Sequence, residues 1–123
     1  MRFITKNIHA YLDYPVALAL ISLPFVFELG SSNPLAFYLS VVTGATALLL
    51  TILTDHQTGL IKVVSYKAHL IVDFLVGLTF VTLPFVLGFS GIDLIYYLLN
   101  GAAVLIVVGL HKEEVNRSSV IGV

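Results

Sequence analysis

Residues 69–86 read HLIVDFLVGLTFVTLPFV, and residues 9–26, sixty positions earlier, read HAYLDYPVALALISLPFV. The two stretches align without a gap and share His9/His69, Asp13/Asp73, Val16/Val76 and Leu18/Leu78, then the run Leu23, Pro24, Phe25, Val26 against Leu83, Pro84, Phe85, Val86. Self-similarity at a fixed period is the signature of a repeated structural unit, so it is read before any single element. The expected architecture is one unit used twice.

Composition says what surrounds that unit. Of 123 residues, 59% are hydrophobic and 11% charged, and the mean hydropathy is +1.03. Soluble domains average roughly 45–50% and about 25%. A water-soluble fold this small has too little interior to hide so much apolar surface, so lipid must solvate part of it. The formal net charge of −1 argues against a nucleic-acid partner held through its phosphates. Without cysteine there is no disulfide framework, thiolate metal site or thiol nucleophile. The first apolar run continues to Phe27 with no A-x-A-like site after it, which predicts a retained membrane helix and not a cleaved leader.

Charged residues thin out along four runs, and each approaches the ~20 residues that a helix needs to cross a ~30 Å hydrocarbon core. Backbone polar groups must be paired in lipid, and no two-residue alternation suggests a barrel. The expected fold is therefore an all-α membrane protein with four transmembrane helices, about 9–29, 34–54, 69–88 and 92–111, forming two tandem helical hairpins related as a parallel internal repeat. Residues 1–123 form a single membrane domain, divided into repeat one at 2–54, an interfacial connector at 55–68, repeat two at 62–111 and a short tail at 112–123. Gly30, with Asn33 capping and Pro34 in the first helical position, marks the first tight turn. Gly88 to Gly91 marks the second, with Ser90 or Asp93 placed to cap the helix that follows. The cations Arg2, Lys6, Lys62, Lys67, Lys112 and Arg117 all avoid the two hairpin loops, which predicts that both termini and the connector are cytoplasmic. Small residues such as Ser40 and Gly44 suggest where helices cross closely.

Candidate chemistry rests on His9, Asp13, His69 and Asp73. Each His lies four residues before its Asp, hence on the same helix face, and the four side chains meet if the first and third helices touch. The reading favoured by the sequence is structural: hydrogen bonds that fix the bundle. Two others compete with it, a metal site of two imidazoles and two carboxylates and a proton relay, since ionisable groups in a membrane span are functional candidates. Thr43, Thr46, Thr79, Thr82, Asn100 and Glu28 offer little to continue such a relay. Pro24 and Pro84 are expected to kink their helices, each freeing a carbonyl four residues earlier. No G-x-S-x-G, Walker-type or H-E-x-x-H motif occurs. The expected protein is not an enzyme, calls for no cofactor and has the lipid bilayer as its medium. Its partner is a second copy of itself or another membrane protein.

The H-x-x-x-D start, the apolar run, the x-Pro-aromatic triplet and the recurrence of all three resemble the SPW-repeat family of small bacterial integral membrane proteins. Thr54-Asp55, then Gly59-Leu60 and a basic-apolar connector into the second His, extend the resemblance over nearly the whole chain. Leu23-Pro24-Phe25 and Leu83-Pro84-Phe85 replace the family's Ser-Pro-Trp, and the chain has no tryptophan. The resemblance implies a multi-pass protein of the bacterial inner membrane without an established activity, and therefore supports architecture and not mechanism.

Overall fold

The computed structural model describes residues 6–54, 61 and 63–110, the side chains of residues 6, 7, 9 and 10 excepted. Four helices run through these residues: α1 Lys6–Val26, α2 Leu35–Leu53, α3 Tyr66–Leu87 and α4 Gly91–Gly109. Three of them, α2, α3 and α4, are long and apolar enough to cross a membrane; the apolar part of α1, Tyr11–Val26, is shorter. The expected connector at 55–68 ends sooner than the sequence suggested. Ser65 is extended and its side chain accepts a hydrogen bond from the Ala68 amide at 3.1 Å, so α3 starts three residues before His69. Residues 55–60 and 62, including Asp55, His56 and Lys62, lie outside the described residues, as do His111, Lys112 and Arg117.

What can be followed of the connector folds back over the end of α2. The Ile61 amide donates to the Ile52 carbonyl at 2.9 Å, and the Val63 and Val64 amides donate to Leu53 at 2.9 and 2.8 Å. A helix leaves its last carbonyls without internal partners. Here the returning chain supplies them, and that brings the start of α3 beside Thr54.

The two turns end their helices in the same way. The Leu29 amide donates to the Pro24 carbonyl at 3.0 Å, and the Phe89 amide to Pro84 at 2.9 Å. Each bond spans a residue in the left-handed conformation, Glu28 at φ 52° and Gly88 at φ 72°, and each places a buried apolar side chain, Leu29 or Phe89, against the core. The first helix was expected to end on Gly30. It ends instead at Val26, and the left-handed residue of the turn is Glu28, which occupies the position aligned with Gly88. A side chain in that conformation costs about 1–2 kcal/mol, so Glu28→Gly should raise the unfolding free energy by about 1 kcal/mol, read as an upward shift of the thermal transition in detergent. No shift, or a fall, would show that the glutamate side chain compensates for its backbone. Beyond this turn Pro34 already has helical dihedrals, and the Asn33 side chain accepts from the Leu35 amide at 3.0 Å, which is the cap the sequence indicated.

α1 packs along α2, and α3 along α4. A β-carbon added to Gly44 would stand 2.9 Å from the Ala17 carbonyl oxygen, and one added to Gly101 would stand 3.0 Å from that of Gly77. The faces turned inward are Ala17, Leu20 and Pro24 on α1 and Gly77, Phe80 and Pro84 on α3, at the same sixty-residue spacing as the sequence copies. One apolar cluster fills the turn end of the bundle: Leu20, Leu29, Ala36, Phe80, Phe89, Tyr96 and Tyr97. Within it the Phe80 ring stacks on Tyr97 at 4.5 Å.

Outside and inside are reversed relative to a water-soluble bundle. Phe25 and Phe85 are 63% and 73% exposed, while Ser40, Thr51, Thr54, His69 and Asp93 are buried. Exposed large apolar side chains beside buried polar ones are what hydrocarbon solvent selects. The described residues are all-helical, with three helices long and apolar enough to cross a membrane.

Candidate functional site

Asp13, His69 and Asp73 come together on the inner wall of the bundle. The sequence paired each His with the Asp on its own helix, whereas here one imidazole serves two carboxylates. His69 Nε2 lies 3.2 Å from Asp73 Oδ2, one turn along α3, and 3.4 Å from Asp13 Oδ2 across on α1. The His69 side chain is only 2% exposed, those of Asp13 and Asp73 10% and 20%. The His9 side chain lies outside the described residues, so the anticipated four-residue cluster is described as three.

The other ring nitrogen sets the chemistry. Thr54 Oγ1 lies 2.6 Å from the Leu50 carbonyl and 2.6 Å from His69 Nδ1. A hydroxyl has one proton and a carbonyl can only accept. Thr54 therefore donates to Leu50, and His69 Nδ1–H donates to Thr54. That places a proton on Nδ1 and leaves Nε2 as the atom facing the two carboxylates.

A cavity of about 290 Å³ opens beside this group, with walls from all four helices. It is mostly apolar: Val16, Val42, Val72, Val76 and Val104 line it, with Asn100 and Thr43 as its deeper polar residues. The Asn100 side-chain amide donates to the Tyr96 carbonyl at 2.8 Å, and Thr79 and Thr82 each donate to the carbonyl four residues back, as membrane threonines commonly do. The cavity stops short of Pro24 and Pro84, where the Leu, Phe and Tyr cluster fills the interior.

Pro24 withholds a donor from the Leu20 carbonyl, and α2 supplies it. Ser40 Oγ donates to Leu20 at 2.8 Å, and because its proton is committed there, Tyr96 must donate in the 2.6 Å contact to Ser40. Tyr97 donates to the Ala36 carbonyl at 2.7 Å. Ser40 was expected at a helix crossing; its hydroxyl chemistry was not.

The polar group that the sequence misread is Asp93. It does not cap its own helix. Its carboxylate reaches the other hairpin's turn, accepting from the Gly30 amide at 2.9 Å and from the Ser32 amide and hydroxyl at 3.0 and 2.6 Å. Ser90, the other expected cap, makes no side-chain cap bond; its amide donates to Ser32 Oγ at 3.1 Å. Asn33 adds a bond to the Leu87 carbonyl at 3.1 Å. The available signal was a carboxylate at the start of an apolar helix, three and four residues before paired tyrosines on one face. No family model, curated protein or solved structure gives a significant match to the chain.

Proposed function

We propose that the chain is a small multi-pass membrane component without enzymatic activity, formed by two copies of an ancestral helical hairpin and resembling the SPW-repeat proteins of the bacterial inner membrane. Both termini and the connector lie on the cytoplasmic side, the turns at 27–34 and 88–90 on the other. It works by association, with a second copy or another membrane protein. One observation carries this reading: the polar groups near the turns, Asp93, Ser32, Asn33, Ser40, Tyr96 and Tyr97, bond one hairpin to the other and line no path across the bundle. A proton-coupled protein needs polar groups continuing past Pro24 and Pro84, and Leu23, Phe80, Leu83 and Phe89 fill that region.

The absence of native cysteine makes the test clean. Single cysteines at Glu28 and Lys112 should react with membrane-impermeant thiol reagents from opposite faces of the membrane. Chemical cross-linking in native membranes should give a discrete homo-oligomer or one defined heteromeric product. Labelling from the same face contradicts the hairpin plan; a chain that stays monomeric and partnerless contradicts the role. Proton flux into vesicles above the protein-free leak replaces it with a transport role.

A further inference from the structure

We infer that Asp13, His69 and Asp73 form a binding site for a divalent transition-metal ion, zinc above all, at the wall of the apolar cavity. The inference goes beyond the associative role and does not depend on it.

Three observations lead there. The first is spacing. A tetrahedral ion with bonds of about 2.0–2.1 Å holds its ligand atoms about 3.3–3.4 Å apart. The Nε2-to-carboxylate separations are 3.2 and 3.4 Å, close to that edge. All three donor atoms lie within 4.8 Å of one another.

The second is the tautomer. Nδ1–H is committed to Thr54, so Nε2, the ring atom turned toward both carboxylates, is the one that would ligate an ion, and Thr54 stands where metal-bound histidines usually have a hydrogen-bond acceptor. The third is charge. One neutral imidazole and two carboxylates around a divalent ion sum to zero, and a neutral complex is the form that a low-dielectric bundle holds at least expense. Imidazole with carboxylates suits zinc. All three residues line the cavity of about 290 Å³, which is large enough to bring water or a small ligand to the ion.

The test is zinc titration of chelator-treated full-length protein in detergent by calorimetry, with cobalt(II) substitution followed by visible absorption. The expected result is one zinc per chain and the intense ligand-field bands of a four-coordinate nitrogen–oxygen site. Thr54→Val should weaken zinc by about 10–100-fold through loss of the ring's anchor, and Asp13→Asn and Asp73→Asn by more. Circular dichroism tests each variant's helicity. Should a variant unfold, the cobalt spectrum of the unaltered protein decides alone, and six-coordinate, aquo-like bands overturn the site. Failure of the unaltered, fully helical protein to take up stoichiometric zinc overturns it equally. So does zinc that binds unchanged in both aspartate variants, because it then belongs to other histidines.

Discussion

Asp93→Ala should lower the unfolding free energy by about 3 kcal/mol or more, the largest loss from any single side chain at the turn end. The carboxylate is fully buried and accepts three hydrogen bonds from Gly30 and Ser32. Bonds to a charged group contribute about 1.5–3 kcal/mol each, and their removal leaves two loop amides without an acceptor. They are not additive, and a membrane reference state offers substitute partners, which keeps the total below the simple sum. Asp93 also sits in the first turn of α4, where a negative charge is favourable. Asp93→Asn should fall between the two, because its one carbonyl oxygen still accepts but carries no charge. Thermal unfolding of the detergent-solubilised protein, followed by helical circular dichroism, measures both; a change within about 0.5 kcal/mol for the alanine variant, the range of an inert surface site, sinks the idea.

Gly44→Ala should lower stability by about 2–3 kcal/mol, and Gly101→Ala by slightly less. The added carbon at Gly44 meets Ile21 Cγ1 at 2.7 Å and two backbone atoms, the Ala17 oxygen and Ile21 nitrogen, at 2.9 Å. A flexible side chain can move aside, but backbone cannot, so the two helices must separate. Overpacking of this kind costs about 1–3 kcal/mol, and association that depends on close backbone approach suffers further. At Gly101 the contacts are 2.7 Å to Val81 Cγ1 and 3.0 Å to the Gly77 oxygen and Phe80 Cβ, a slightly looser fit. Gly109 supplies the control, since its added carbon meets nothing within 4 Å; Gly109→Ala should stay within about 0.5 kcal/mol. The same unfolding experiment checks the ordering, and an equal response at all three glycines contradicts the crossing geometry.

The four helices were legible because charge is costly in hydrocarbon and leaves apolar gaps, three of them matched by helices long enough to cross a membrane. The turns were legible in outline from Gly, Asn and Pro. Their details depended on contacts with no local signature. Asp93 looks like an N-cap to any reader of residues 88–96, and only the approach of a turn 61–63 residues away reassigns it. Glu28 gives no hint of a left-handed backbone on its own, although aligning it with Gly88 does. The meeting of Asp13 with His69 was readable conditionally, from helix periodicity and the repeat. Thr54 was not, because its contact with His69 exists only through the connector folding over the end of α2.

The grip of Asp93 on the opposite turn has a valence. One half of the chain offers amide donors and the other offers the acceptor, so two identical halves placed face to face would oppose either carboxylate to carboxylate or donor to donor. However alike the halves are in sequence, they make this grip only as unlike partners. Copies that exchanged halves could renew it only by joining a first to a second.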